Sequence, residues 1–224
     1  MKILIVFATS PEAEILGAIP DNNPGKTEFS FNESAMSVLI TGVGGISTAW
    51  AMQKWLSGNS KPDLAINAGI AGSFSEKYPI GTVVMPVSDC FADLGIEKDN
   101  NYQTLAEAGF MDPDEHPFKN GLIYSHNKYT EQLLSQIPGV KAVTVNTTSG
   151  SERTIERLIS KFNPDIETME GATFFYICAR ENIPFLSLRA VSNMVKPDRK
   201  SGWDIPLALE SLAGKMKEVL FILT

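Results

Sequence analysis

Short continuous apolar runs, each closed by glycine or by a polar cluster, set the strongest limit on how this chain can fold. Lys2–Ala8 reads KILIVFA, with no alternation of apolar and polar residues. A strand with one wet face alternates, whereas an unbroken run of this length belongs to a strand covered on both faces. The same pattern predicts strands at Met36–Thr41, Asp63–Ala68, Thr82–Val87, Lys141–Thr147 and Phe185–Ser192. Helical spacing predicts helices over Ile46–Leu56, over Glu152–Lys161 with Ser151 as N-cap, over Glu167–Glu181 with Pro184 marking the turn, and over Ile205–Leu223. Strands covered on both faces need helices on both sides of the sheet. The expected fold is therefore α/β, a single domain over residues 1–224 built as a three-layer sandwich around a mixed central β-sheet. Asn100–Lys119, polar and rich in Asp, Glu and Pro, is expected to be an excursion from it.

Composition excludes several function classes. Apolar residues make up 43% and charged residues 20%, as in an ordinary globular chain that buries a core without disulfides or metal. The net charge of −7 argues against a basic face for nucleic acid or for an anionic membrane surface. No apolar run approaches the roughly 20 residues of a membrane span. The start, MKILIVFATSPEAE, reads as a first strand rather than a signal peptide. Two cysteines make no disulfide framework, and Cys178 reads as a small core residue. The expectation is a cytoplasmic, reduced protein. His116 and His126 have no metal-ligand spacing with each other or with a cysteine, and both read as surface residues.

Five clusters at element ends remain as candidates. TGVGG, Thr41 to Gly45, joins a strand to a helix; its glycines allow close approach of a ligand, and the N–H groups at the helix start can hold a polar atom. It is not a dinucleotide fingerprint, which needs G-x-G-x-x-G. NAGIAGSF, Asn67 to Phe74, follows a buried strand and is expected to line a pocket beside the first glycine turn. SPEAE, Ser10 to Glu14, offers Glu12 as a general base at a strand end, while Glu14 reads as a first-turn helix acid. TMEG, Thr168 to Gly171, keeps Glu170 in an apolar segment. RAVSN, Arg189 to Asn193, ends a buried strand in an arginine that wants a carboxylate partner and an amide that both donates and accepts. Lys196, Arg199, Lys200 and Trp203 follow in a loop that reads either as an anion-binding lid or as a solvated loop.

NAGIAG, TMEG and RAVSN, with the early Glu12 and TGVGG, together resemble the nucleoside phosphorylase/hydrolase family, in the same order over essentially the whole chain. Within it, the segment RAVSNMV…DRKSGWDIPLAL sits nearest the branch that hydrolyses 5′-substituted purine nucleosides: methylthioadenosine, S-adenosylhomocysteine and, most closely, futalosine. The resemblance implies a nucleoside phosphorylase-like fold, a small-molecule nucleoside substrate, a homo-oligomer, and no metal or cofactor. It implies that the Glu12 carboxylate activates the attacking water. Met169 and Glu170 hold the ribose, Glu170 accepting from sugar hydroxyls, and Arg189 lies near the water. Gly44 and Gly72 belong to the two glycine segments that line the substrate.

Three positions depart from the pattern. Asn193 stands where adenine-cleaving members place an Asp that protonates N7, which favours a 6-oxopurine such as hypoxanthine. Phosphorylases of the family bind phosphate with arginines at two strand ends that here read ATSPEAE and NAGIAG, so water is the expected nucleophile. Ile70 replaces a Ser of related nucleosidases, leaving backbone groups to place the water. Three alternatives stay open: an adenine-releasing nucleosidase, a phosphorylase, and a silent nucleoside-binding module.

Overall fold

The computed structural model describes residues 1–18, 27–98, 101–197 and 202–224. In chain order these form β1 (Lys2–Phe7), α1 (Ser10–Ala13), β2 (Glu28–Phe31), β3 (Ser34–Ile40), α2 (Gly45–Gly58), β4 (Leu64–Ser73), β5 (Val83–Asp89), β6 (Gly95–Lys98) and β7 (Asn101–Thr104). There follow β8 (Ile123–Tyr124), α3 (Lys128–Leu133), β9 (Gly139–Thr144), α4 (Glu152–Phe162), β10 (Ile166–Thr168), α5 (Gly171–Arg180), β11 (Phe185–Met194) and α6 (Ile205–Leu223).

The continuous apolar runs are explained by what covers each face. Along β1, Ile3, Ile5 and Phe7 pack with Leu212, Met216, Val219 and Leu220 of α6. The intervening Leu4 and Val6 pack with Met52 of α2 and with Phe174 and Phe175 of α5. Every second residue thus meets a different helix layer, the three-layer α/β arrangement around a mixed sheet that was expected. Removing such side chains from water stabilises the fold by about 1.5–3 kcal/mol each. Helix ends are set by local chemistry. The side chains of Asn127, Ser151 and Asp204 accept first-turn N–H groups of α3, α4 and α6, each cap contributing about 1 kcal/mol.

The main sheet runs β10-β9-β5-β11-β4-β1-β3-β2. Parallel pairs dominate its centre: β1 with β3 and β4, and β4 with β11. β10 pairs with β9 and also, antiparallel, with the far end of β4 through Ile166↔Ser73 and Glu167↔Gly72. The sheet half β4-β11-β5-β9-β10 therefore closes on itself. Ala71, Val84, Val140, Ala142, Ile166 and Val191 of these five strands pack in a cluster of their own.

Two expectations need correction. NAGIAGSF is not a loop after a strand: β4 runs on to Ser73, because Ala68–Gly72 keeps pairing with β11. The helix predicted from Glu167 begins at Gly171, since Ile166–Thr168 is taken up as a strand between β9 and β4. Within the polar excursion, β7 pairs antiparallel with β6, which lies just before it. Cys178 lies fully buried among α5 core residues, and His116 and His126 are exposed.

Candidate functional site

The parallel strands β1, β3, β4 and β11 bring their carboxyl ends to one side of the sheet, where ligands of open α/β sheets bind. Glu12 stands there at the end of β1. Thr9 caps α1, and Pro11 sits at the start of the helix, where its missing N–H costs nothing. Thr9 N–H and Oγ1 both donate to Glu12 Oε2, each at 2.9 Å, and Ile70 N–H donates to Oε1 at 3.2 Å. A carboxylate offers about four lone-pair sites. Three are used by donors that fix its direction, which leaves one on Oε1 for a further donor such as water.

Gly69 makes this cluster possible. It pairs with Arg189 across β4 and β11, and a Cβ at residue 69 would strike Arg189 Nη1 and stand 2.7 Å from Glu12 Oε1. Both side chains occupy space that any other residue at position 69 would fill. Gly69→Ala is expected to destabilise the fold by about 1–3 kcal/mol through overpacking, read as a shift of the urea midpoint; an unchanged midpoint would show that the two side chains move aside freely. Arg189 itself is 1% exposed. The carboxylate partner expected from its sequence is absent among the described residues: no ion pair forms at its guanidinium. Its Nη2 donates instead to Asn67 Oδ1, while Asn67 Nδ2 donates to Val6 O at 3.0 Å. Arg189 Nε has no hydrogen-bond partner. Asn67 thus ties the arginine to β1, a role its sequence position did not reveal.

Glu170 comes from the other side of the site and is buried. Its Oε1 accepts the Gly44 N–H at 2.9 Å. Gly44 has φ +88° and precedes α2, so glycine is needed there to turn the N–H outward. Glu170 is the N-cap residue of α5, yet its side chain makes no cap bond. The helix start is capped from neighbouring strands instead: Gly171 N–H donates to Thr168 Oγ1 at 3.2 Å and Ala172 N–H to Thr144 Oγ1 at 2.7 Å. That releases the Glu170 carboxylate toward the site. Met169, half-buried, precedes it.

The Asn193 end of the cluster depends on a β-bulge. Val191 pairs with Ala71, but Asn193 pairs with Gly72, so Ser192 is the extra residue. Bulges re-aim side chains beside sites. Ser192 Oγ has one proton and two acceptors in reach, Asn193 Oδ1 at 2.9 Å as the nearer and Ala71 O at 3.2 Å, and Asn193 Nδ2 makes only a long contact, 3.4 Å, to Met194 O. The amide oxygen is occupied and an N–H is left to offer. Gly72 is where β4, β10 and β11 meet: a Cβ there would lie 3.2 Å from Asn193 Nδ2 and 3.3 Å from Glu167 Cγ. Asp204 N–H donates to Ser192 O at 2.8 Å, which ties the start of α6 to the bulge. Lys196 is exposed and Trp203 is 42% exposed; Arg199 and Lys200 lie outside the described residues.

A profile of the phosphorylase superfamily matches residues 2–221. The chain belongs to the phosphorylase superfamily. Futalosine hydrolase of Streptomyces coelicolor is 30% identical, over 98% of this chain and 97% of that protein. A 5′-methylthioadenosine/S-adenosylhomocysteine nucleosidase of Actinobacillus succinogenes is 25% identical over 86% of each chain. Among solved structures, a futalosine hydrolase mutant of Helicobacter pylori superposes with a TM-score of 0.78 over 99% of both chains at 18% identity. A Neisseria meningitidis methylthioadenosine/S-adenosylhomocysteine nucleosidase superposes at 0.80 over 98% of both at 18%. These two structures share the superfamily fold with this chain.

On that fold the structure brings Glu12, Gly44, Arg189 and Glu170 together around the ends of β1, β3 and β4, with Gly72 and Asn193 where β4 and β11 end. Two buried acids were not singled out in the sequence. Glu167 accepts from Ser149 N–H at 3.0 Å and from its hydroxyl at 2.5 Å. Asp89 ends β5 with no exposure at all. The available signal was an acidic residue next to a buried strand, VSD in one case and DIET in the other. A cavity of about 790 Å³ lies elsewhere, under the excursion, lined by Phe91, Leu105, Phe118, Phe162 and Tyr176 among others; none of the site residues lines it.

Proposed function

We propose that this chain hydrolyses the N-ribosidic bond of futalosine, releasing hypoxanthine and dehypoxanthine futalosine, a step in menaquinone synthesis. The observation that carries the reading is the Asn193 amide. With its oxygen held by Ser192, it presents an N–H, which can bind O6 or N7 of a 6-oxopurine as negative charge develops on the leaving base. It has no acidic proton to give to adenine N7. The futalosine hydrolase relative supports the same substrate.

In this reading the C–N bond stretches first and the ribose acquires oxocarbenium character. Glu170, held by Gly44 N–H, and Met169 hold the sugar. The remaining lone pair on Glu12 takes a proton from water as it attacks the anomeric carbon opposite the base. Arg189 adds positive charge beside that carboxylate, and Gly72 keeps the base side open. No arginine stands at the ends of β1 or β4 themselves, which favours water over phosphate. The protein acts on a small-molecule nucleoside as a cytoplasmic homo-oligomer. Among the described residues no helix is long and apolar enough to cross a membrane.

The test is base release from futalosine, inosine, methylthioadenosine and S-adenosylhomocysteine, with and without phosphate, followed by chromatography. Hypoxanthine from futalosine, independent of phosphate, is the expected result. Adenine from the thio-nucleosides, or a requirement for phosphate, would refute it. Asn193→Asp is expected to raise adenine release relative to hypoxanthine release about a hundredfold, the lower end of what general acid assistance contributes. An unchanged ratio would remove Asn193 from base selection.

A further inference from the structure

Asp89 is fully buried and has no part in the reaction above. Its Oδ1 accepts from Cys90 N–H at 2.8 Å and from Thr144 Oγ1 at 3.0 Å. Its Oδ2 has no partner and lies against Gly171, where a Cβ would strike it. A buried carboxylate oxygen left unpaired is costly, so its retention needs a reason.

The hydrogen bonds around it supply one. Thr144 has one hydroxyl proton. Donating it to Asp89 turns the hydroxyl's lone pairs the other way, toward Ala172 N–H at 2.7 Å. Thr168 Oγ1, 3.2 Å from Thr144 Oγ1, receives Gly171 N–H. Two strand threonines therefore hold the first turn of α5, and a buried carboxylate orients one of them. The residue immediately before that turn is Glu170.

We propose that Asp89 is a positioning residue for the ribose-binding carboxylate: through Thr144 it fixes the first turn of α5 and with it the direction of Glu170. Asp89 touches no substrate. The proposal rests on the reading of Glu170 as the acceptor of sugar hydroxyls. The charged groups facing Asp89 are Arg189 of β11 and Glu170 at the head of α5, and Cys90 is its titratable chain neighbour. Thr144 of β9 and Thr168 of β10 do not titrate. Burial pushes the carboxyl up to about 7, against the bonds from Thr144 and Cys90 and the attraction of Arg189. The ionised form, with its stronger charge-assisted bond to Thr144, accordingly fills in between about pH 6 and pH 8.

The experiment compares kcat/KM for futalosine and its 2′-deoxy analogue from pH 6 to pH 8 in wild type, Thr144→Ser, Thr144→Val and Asp89→Asn. The ratio of the two cancels groups that act equally on both substrates. Wild type is expected to prefer the ribonucleoside, increasingly so as pH rises. Thr144→Ser keeps the hydroxyl and should match it. Thr144→Val should narrow the preference about tenfold, the effect of roughly one well-made hydrogen bond. Asp89→Asn keeps an acceptor at Oδ1 without the charge; it should narrow the preference about threefold and abolish its pH dependence. Wild-type preference and slope in Asp89→Asn would overturn the proposal, and that variant decides the matter if Thr144→Val fails to fold. Wild type that releases no hypoxanthine from futalosine would instead refute the proposed function, before any variant is compared; the same ratio is then read on whichever nucleoside is cleaved. Cleavage of none overturns both.

Discussion

Glu12→Gln should lose about 10²–10⁴ in kcat, the usual contribution of a positioned general base, while binding nucleoside nearly as well as wild type. The expectation follows from how the side chain is held. Thr9 and Ile70 supply three donors to the carboxylate. An amide oxygen can still take the two Thr9 donors, so α1 keeps its start. The amide nitrogen then faces the Ile70 N–H, two donors in opposition, and stability should fall by about 1–2 kcal/mol. What is lost outright is the lone pair that accepts the water proton. Single-turnover base release and nucleoside binding by calorimetry separate the two effects. Full activity in Glu12→Gln would remove Glu12 from the chemistry. A parallel loss of binding would mean that the carboxylate serves mainly to shape the site.

Asp89→Asn should make the protein more stable, and increasingly so with rising pH. Burial raises the Asp89 carboxyl from 3.8 to about 7. Between those values the folded chain keeps a proton that the unfolded chain has released. The neutral carboxyl's contribution to stability is complete below about pH 4 and is lost as pH rises through about 7. Asparagine buries no charge at any pH and its oxygen can accept from both Cys90 and Thr144. Its advantage should therefore be about 2–3 kcal/mol larger at pH 8 than at pH 5, read from urea midpoints at the two values. A pH-independent difference would show that Asp89 does not titrate in this range. A stabilised variant that selects its substrate less well is the trade-off expected of a strained functional group.

The layers were legible in the sequence because burial on both faces leaves an unbroken apolar run, as in Lys2–Ala8. Glu12, Gly44, Glu170 and Asn193 were legible as polar or glycine residues at element ends. What was not legible depends on partners distant in sequence. Nothing near Arg189 announces that it will donate to the Asn67 amide 122 residues earlier rather than to an acid. Nothing in NAGIAGSF says strand rather than loop, since glycines normally weaken strands; it is strand because β11, and at its far end β10, pair with it. Asp89 looked like an ordinary polar strand end until α5 was laid across it.

The extra residue at Ser192 also bears on how such a chain can change. Upstream of it, Arg189 keeps its register with Gly69 and so its place beside the Glu12 carboxylate; downstream, Asn193 is set by its own pairing with Gly72. In the proposed reading, a substitution at 193 alters which leaving group is favoured while Glu12, Gly69 and Arg189 keep their alignment. On that reading, single replacements at one position would move such a site between purines and leave its other half unchanged.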